Sequence, residues 1–221
     1  MSSTLIVGAA PVTDSRAFYR ALLTAADRVI ACDGAGEWCV ALGRYPDLVV
    51  GDFDSSVAGA EDRLGALGIP IERHPSAKDE SDLDLALAVA RRMGSSGVTF
   101  TAAFSERLDH TLGALGTLVR ARDLAPSIEE PDFMAMIVDA KARSSVQMSV
   151  AIGATVSVLA LQAASGVTLE GLEFPLVNGT LSLLSSHGLS NIAQAKRVTV
   201  SVAEGTLLVI ASREAVDSTR D

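Results

Sequence analysis

Two aspartates stand directly after a hydrophobic run near the middle of the first half. Residues 48–56 read LVVGDFDSS, in which Gly51 ends the apolar run and Asp52 and Asp54 flank a phenylalanine. Because side chains two residues apart in a strand point to the same side, we expect both carboxylates to face one target. Open α/β sheets bind ligands at the end of such strands. Acids there also cap helices or bond their own backbone, so the pair alone fits either a turn or a site.

Three further segments place acids and a few bases at predicted strand ends or helix starts. They are DGAG at 33–36, KDESDLD at 78–84 and RLDH at 107–110. In a parallel sheet these segments converge on one edge, where carboxylates repel one another unless a cation joins them. Mg²⁺ takes oxygen ligands and usually keeps waters and substrate phosphates. An acidic pocket with Lys78 and Arg107 therefore suits a metal–nucleotide complex and phosphoryl transfer.

The same residues also have plain structural explanations. Asp82 and Asp84 fall in the first turn of a predicted helix, where the helix dipole alone favours carboxylates. Asp109 is placed to cap the helix that follows it, and Lys78 can be a solvated surface lysine. His110 lies in a first helical turn beside Asp109, and we assign it no proton-transfer role.

The first half of the chain alternates short apolar runs with segments of helical length. We predict strands in LIVGAAPV, RVIACDG, DLVVGDFDS, IPIER and VTFTAAF. One helix spans 82–93 with Ser81 as its N-cap, and a second amphipathic helix is marked by Leu108, Leu112, Leu115 and Val119. Strand and helix alternation of this kind predicts an α/β fold, with an N-terminal three-layer α/β/α domain around a mostly parallel sheet.

The pattern changes after Pro126. Short β-rich runs follow one another, separated by turns with Gly, Ser and Asn. They predict a smaller C-terminal domain that is an antiparallel β-sandwich or barrel. We place the boundary near residues 140–145, which divides the chain into domains 1–140 and 141–221.

Composition restricts the possible partners and compartment. The net charge of −9 argues against a surface that binds nucleic acid. No stretch reaches the ~18 apolar residues that a membrane helix needs, and the first residues lack the basic region of a signal peptide. Cys32 and Cys39 have no metal-ligand spacing and fit reduced thiols. We therefore expect a soluble cytoplasmic protein without nucleic-acid or membrane partners.

Four motifs occur in a recognisable order. They are ADRVIACDGAGEW, YPDLVVGDFDSS, KDESDLDLAL and RLDHTLGAL, and GVTLEGLEFPLVNGTLSLLSSHGLSN with VTVSVAEGTLLVI follows in the second half. This order resembles the thiamine pyrophosphokinase (thiamine diphosphokinase) family, and the resemblance extends over residues 5–210. It implies that 1–140 is a nucleotide-binding catalytic domain and that 141–221 is a thiamine-binding β-sandwich domain.

The resemblance implies an enzyme that moves a pyrophosphoryl group from ATP to the hydroxyl of thiamine. The products would be thiamine diphosphate and AMP, with Mg²⁺ as the metal. Transferred to this sequence, the family motifs make Asp52 and Asp54 the metal ligands, with Asp82 completing or supporting the site. Lys78 and Asp79 would belong to the nucleotide-binding segment.

The resemblance also implies the residues around the reacting groups. Arg107 and Asp109 would lie against the polyphosphate and the reacting hydroxyl, and either Asp109 or Asp82 would take the hydroxyl proton. Asp33 would lie near the ligand.

For thiamine itself, the resemblance points to the second domain. Family members are homodimers whose thiamine pocket lies at the subunit interface. Ser190 and Asn191 match the motif that holds the thiamine ring, so this chain is expected to be a homodimer that binds thiamine and ATP.

Two departures from the family pattern affect the phosphate side. Residues 102–106 read AAFSE where the family usually has glycines, and Ala35 replaces the second glycine of Asp-Gly-Gly. The loop loses permissive backbone angles and Glu106 adds negative charge, so nucleotide affinity is expected to differ. The nearest backbone phosphate cradle is GAAPV at 8–12. Two alternatives remain open: the same transfer to another hydroxymethyl acceptor such as a pterin, and a non-catalytic protein that binds thiamine or nucleotide.

Overall fold

The computed structural model describes residues 2–10, 13–54 and 57–215. They form two compact units, one ending at Pro126 and the other beginning at Ser127. The predicted boundary between residues 140 and 141 falls inside the second unit, in the turn after a strand that ends at Asp139.

The first unit alternates strands and helices. Its strands are β1 (Ser3–Val7), β2 (Arg28–Cys32), β3 (Leu48–Gly51), β4 (Ile71–Arg73) and β5 (Gly97–Thr101). Its helices are α1 (Arg16–Ala25), α2 (Ala35–Ala41), α3 (Ala60–Ala66), α4 (Asp82–Arg92) and α5 (Leu108–Arg120). The strands pair in the order β4–β3–β2–β1–β5, and every one of these pairs is parallel. The carboxyl ends of all five strands therefore lie at one edge.

Helices lie on both faces of this sheet. Alternate strand residues such as Leu5, Val29 and Val49 join one core with α1, α2 and α3. The intervening residues Ile6 and Ile30 are fully buried, and α4 contacts β1, β2 and β3. Strand alternation directs the two sets to opposite faces. The predicted α/β fold with a mostly parallel sheet is confirmed.

The sequence pattern predicted the start of α4 correctly, but not the buried face of α5. Ser81 caps α4 as predicted, and Leu87 is buried. On α5, however, Ala114, Thr117 and Leu118 form the buried face, whereas Leu108 and Leu112 are 71% and 59% exposed. The predicted leucine face was wrong for these two residues, because the smaller side chains at 114 and 117 pack inward instead.

The second unit is antiparallel. Its strands are β6 (Ser127–Glu129), β7 (Phe133–Asp139), β8 (Ser145–Ser149), β9 (Ala154–Glu170), β10 (Leu176–Leu181), β11 (Asn191–Ile192), β12 (Arg197–Ser201) and β13 (Glu204–Ala215). The order β7–β13–β9–β12–β8 runs through the long β9, with which β10 and β11 also pair. Valines and alanines of β9, β12 and β13 fill its core. The predicted antiparallel C-terminal region is confirmed.

Among the described residues, no helix has both the length and the apolar character needed to cross a bilayer.

Candidate active site

A cavity of about 840 Å³ opens at the carboxyl edge of the parallel sheet. Gly8 follows β1, Cys32 ends β2 and Asp52 follows β3, while α4 and α5 add Asp82 and Asp109 to the wall. The volume is in the range of pockets that enclose a ligand of nucleotide size. Parallel strand ends thus bring together acids that are distant in the sequence.

Lys78 lies between two of these acids. Its Nζ is 3.4 Å from Asp52 Oδ2 and 2.9 Å from Asp82 Oδ1, and only 11% of the lysine side chain is exposed. Burial lowers the pKa of Lys78, but the two carboxylates outweigh burial and raise it, so the ammonium stays charged. Asp82 Oδ1 is buried and has no hydrogen-bond partner among the described residues, so its contact with Lys78 is ionic.

Asp33 supports the loop that carries Asp52. Asp33 is 5% exposed, has a positive φ of 45°, and is not among the residues that line the cavity. Its Oδ1 accepts a hydrogen bond from Phe53 N at 3.0 Å, and its own N donates to Val50 O at 3.0 Å. Burial raises the pKa of the Asp33 carboxyl to about 6, with the Phe53 N–H opposing the rise and Asp82 adding to it.

Glycine at position 51 is required by this arrangement. A Cβ on Gly51 would lie 1.8 Å from Asp33 Oδ1, which is closer than any van der Waals contact. The buried carboxylate of Asp33 therefore occupies the space next to the Gly51 backbone, and it reaches Phe53 N only because position 51 has no side chain.

Asp52 lines the cavity, but Asp54 does not. β3 ends at Gly51, and Phe53 has a φ of 61°, so the alternation of a strand does not extend to these acids. Asp54 is exposed, does not line the cavity, and donates its backbone N–H to Asp52 Oδ1 at 3.1 Å. The expectation that both carboxylates face one side as strand residues was wrong. The assignment of Asp54 as a metal ligand stays a prediction.

Arg107 and Asp109 form a pair at the cavity rim. Arg107 Nη2 donates to Asp109 Oδ2 at 2.6 Å and Nε donates to Oδ1 at 3.3 Å, and both side chains are about two-thirds exposed. The guanidinium lowers the pKa of Asp109. Asp109 does not cap α5. The N-cap residue of this helix is Arg107, which makes no side-chain cap. Both residues line the cavity.

Two residues of the 78–84 segment point elsewhere. Asp79 is exposed and lines a smaller depression of about 470 Å³ with Arg91 and Arg120. Asp84 forms a capping box with Ser81, and its second oxygen contacts α5. Burial raises the pKa of Asp84, but hydrogen bonds from Thr117, Arg120 and Ser81 outweigh burial and lower it.

The loop before α5 carries the strain that its sequence predicts. Ala102 is fully buried with a φ of 50°, a conformation that costs an alanine about 1 kcal/mol more than a glycine. Its carbonyl accepts from Ala10 N at 2.9 Å, and a Cβ on Gly8 would lie 2.4 Å from the same oxygen. Gly8 therefore permits close contact between the two loops. Pro11 and Val12 of the proposed cradle lie outside the described residues.

The side-chain amide of Asn191, in the second unit, forms hydrogen bonds within the protein. Its Oδ1 accepts from Phe174 N at 3.0 Å and Ile192 N at 2.9 Å, and its Nδ2 donates to Phe174 O at 2.8 Å. Asn191 is 7% exposed, whereas the Phe174 residue that it holds is 65% exposed. Ser190 is exposed with a φ of 56°, and its N donates to Ser157 Oγ at 3.1 Å.

Sequence reasoning missed two residues. Cys32 forms part of the cavity wall, where burial raises the pKa of its thiol well above its usual value and keeps it neutral. Phe174 is an exposed aromatic held by a buried amide. The position of Cys32 at the end of a strand was a usable signal for the first, whereas no spacing in the sequence linked Phe174 to Asn191.

The donor set of the cavity is compatible with Mg²⁺. Among the described residues, no group of three or more His, Cys, Asp or Glu side chains is arranged to hold a metal. Mg²⁺ is usually bound through only one or two carboxylates together with substrate phosphates and waters. Asp52 and Asp82 supply two hard oxygen donors, each in an ion pair with Lys78, and the buried Oδ1 of Asp82 makes no hydrogen bond among the described residues.

Two family models match the chain. One is described as "Thiamin pyrophosphokinase, catalytic domain" and matches residues 19–129, and the other as "Thiamin pyrophosphokinase, vitamin B1 binding domain" and matches residues 144–207. The catalytic model alone covers half of the chain. No curated protein sequence matches this chain.

Solved structures share the fold along nearly the whole chain. The thiamine pyrophosphokinase from Bacillus subtilis is 23% identical, with 96% of this chain and 99% of that chain covered and a TM-score of 0.81. The protein from Geobacillus thermodenitrificans is 24% identical, with coverage of 98% and 99% and a TM-score of 0.79. That from Candida albicans is 14% identical, with coverage of 96% and 89% and a TM-score of 0.78. At these identities, the likeness establishes the fold.

Proposed function

This chain belongs to the thiamin pyrophosphokinase family, and from that premise we propose that it transfers the pyrophosphoryl group of ATP to the hydroxyl of thiamine. The products are thiamine diphosphate and AMP. The observation that carries the ATP assignment is the cavity at the sheet edge, which gathers Asp52, Asp82, Lys78 and Arg107 around one space of nucleotide size. Carboxylates and two fixed cations at one site suit a metal-bound polyphosphate.

Mg²⁺ is the metal proposed for this site. Asp52 and Asp82 would hold it, and Asp54 remains a candidate third ligand. Bound there, Mg²⁺ would offset the charge of the phosphates during transfer. The cavity lining contains more acids than bases: Asp52, Glu80, Asp82, Glu106 and Asp109 against Lys78 and Arg107. A free polyphosphate would be repelled by this excess, so the nucleotide enters together with its cation.

The protein's own cations hold the phosphates. Lys78 is a point charge beside the two candidate metal ligands, with 11% of its side chain exposed. Asp79 belongs to the same proposed nucleotide-binding segment, although it does not line the cavity. Arg107 presents a planar set of donors at the rim, which suits two oxygens of a phosphate. Asp33 acts through the Phe53 N–H by holding the loop of Asp52 in place.

Asp109 is the better placed of the two candidate proton acceptors. Both acids are paired with a cation, Asp82 with Lys78 and Asp109 with Arg107, but Asp82 is also proposed as a metal ligand, whereas Asp109 is not. Asp109 lines the cavity that is proposed to hold the phosphates. We therefore assign Asp109 to accept the hydroxyl proton.

Thiamine is assigned to the second unit, and the protein is proposed to act as a cytoplasmic homodimer with this site at the subunit interface. Support for association comes from large apolar side chains that the second unit exposes: Phe174, Val177, Leu183 and Leu184 at 65%, 80%, 61% and 63%. Exposed apolar groups in such number favour a contact with another surface.

Product analysis tests the proposed reaction. Purified protein is incubated with ATP, Mg²⁺ and thiamine, and AMP, ADP and thiamine diphosphate are separated by chromatography. AMP and thiamine diphosphate should appear together and should both disappear in EDTA. A hydroxymethyl pterin replaces thiamine in a parallel reaction. ADP in place of AMP, or a pterin product without thiamine diphosphate, would reject the proposal, as would ligand-induced stabilisation without turnover.

Ser190→Ala and Asn191→Ala should affect thiamine more than ATP, but by different routes. Ser190→Ala removes an exposed hydroxyl, so it should raise the KM for thiamine without changing the unfolding temperature. Asn191→Ala leaves the Phe174 backbone groups without partners, which should also lower stability by roughly 1–3 kcal/mol. Steady-state kinetics with each substrate and thermal unfolding measure both effects.

The exposed Ser149 on β8 provides the matched serine control for these variants. Ser149→Ala should leave both KM values unchanged. Equal increases in the KM for thiamine and for ATP in the Ser190 variant would contradict its placement beside thiamine.

A further inference from the structure

The carboxylate of Asp84 contacts two helices with its two oxygens. Oδ2 accepts from Ser81 Oγ at 2.9 Å and lies 3.4 Å from Ser81 N, while Asp84 N donates to Ser81 Oγ at 3.2 Å. Oδ1 accepts from Thr117 Oγ1 at 2.7 Å and from Arg120 Nη2 at 2.5 Å, both on α5. One side chain therefore closes the first turn of α4 and binds the neighbouring helix.

Capping of α4 requires only the first half of these contacts. A capping box needs the Ser81 side chain, the Asp84 backbone and one carboxylate oxygen. The second oxygen is additional, and it reaches a threonine that is fully buried. Thr117 Oγ1 also lies 3.3 Å from Gly113 O and 3.1 Å from Arg120 Nη2, both on α5, whereas its 2.7 Å contact with Asp84 Oδ1 joins it to α4. Displacement of α5 along α4 would therefore break that contact and leave the cap intact. Oδ1 thus links the two helices.

Both helices carry walls of the cavity. α4 contributes Asp82 from its first turn, two residues before Asp84, and α5 contributes Asp109 from its first turn. We propose that Asp84 is a positioning residue for pyrophosphoryl transfer, because through Thr117 it sets the place of Asp82 relative to Asp109. This role rests on the proposed function. Displacement of reacting groups by about 1 Å can cost roughly 100-fold in rate.

Thr117→Val separates this role from helix capping. Valine keeps the shape of threonine and leaves Ser81 and Oδ2 of Asp84 untouched, but it cannot donate to Oδ1. We expect kcat to fall about 10- to 100-fold with little change in the KM for ATP, because alignment is lost and nucleotide binding is kept. Thr117→Ser restores the hydroxyl and should restore kcat.

Asp123→Asn is the matched control at the other end of the same helix pair. It weakens the contact of 2.5 Å between Arg91 Nη2 and Asp123 Oδ1, two residues that do not line the cavity. This variant should lose some thermal stability and keep kcat. A wild-type kcat for Thr117→Val would overturn the proposal, and so would an equal loss of kcat in Asp123→Asn.

Two further results are decisive. If Thr117→Val does not fold, Thr117→Ala replaces it, because alanine also lacks the hydroxyl and is a better helix former. A wild-type kcat for Thr117→Ala would then overturn the role of Asp84. Wild-type protein that releases no AMP in the same assay would reject the proposed function itself, whereas active wild-type protein with an equally active Thr117→Val would reject only the positioning role.

Discussion

Asp52→Asn is expected to lower kcat about 100-fold or more, the usual effect of removing one electrostatic contact to a developing charge. The amide keeps the shape of the carboxylate but removes a hard, charged oxygen donor 3.4 Å from Lys78. The fold should lose little stability. The Asp54 N–H and Lys78 lower the pKa of Asp52, so the folded state favours its charged form, but Asp52 also adds to the negative charge around Asp33 and Asp82. The unfolding temperature should therefore fall only slightly. Activity and thermal unfolding of the same preparation measure both.

Two other aspartate variants make this result interpretable. Asp62→Asn on α3 changes an exposed acid outside the cavity lining and should leave activity unchanged. Asp54→Asn tests the predicted third ligand, and a loss of activity as large as that of Asp52→Asn would support it. Near-normal activity in Asp54→Asn would remove Asp54 from the metal set, and near-normal activity in Asp52→Asn would overturn the metal assignment altogether.

Gly51→Ala is expected to damage both stability and activity. The new Cβ would lie 1.8 Å from Asp33 Oδ1, so the carboxylate must rotate away from Phe53 N. The hydrogen bond between the buried Asp33 carboxylate and the Phe53 N–H is then lost, which should lower the unfolding free energy by roughly 1–3 kcal/mol. The loop that carries Asp52 loses its support, and kcat should fall with it. Denaturant unfolding and steady-state kinetics measure the two effects.

Gly65→Ala is the control for this substitution. Gly65 lies in α3, and a Cβ there meets nothing within 4 Å. Alanine should therefore stabilise the helix by about 0.5–1 kcal/mol without affecting kcat. A Gly51→Ala variant with wild-type stability and activity would show that Asp33 does not hold the Asp52 loop.

The order of elements was readable because it depends on local chemistry. Apolar runs of strand length separated by helical segments predict a parallel sheet, and the later β-rich runs predict an antiparallel region. Ser81 and Asp84 stand at capping-box spacing, and α4 begins at Asp82 as expected. Since parallel strands end at one edge, the sequence also predicted that Asp52, Lys78, Asp82, Arg107 and Asp109 would meet, and the cavity lining contains all of them.

Side-chain direction was not readable at residues where the backbone leaves regular structure. Asp33 and Phe53 have positive φ angles, which turn Asp33 toward the backbone of the next loop and place Asp54 in solvent. The buried face of α5 was also mispredicted, because a leucine pattern does not reveal which side a neighbouring helix covers. Asn191 matched a ligand motif in sequence, but its amide bonds Phe174 and Ile192.

The amino-acid sequence by itself thus determined the family, the order of strands and helices, and the edge at which the acids gather. Those features follow from periodicity, caps and connection rules that act over a few residues. The tertiary structure alone decided which oxygen of Asp84 reaches Thr117, which acid supports the Asp52 loop, and which acid stays in solvent. Such choices depend on distances between residues remote in the chain, and these distances exist only once the elements have packed.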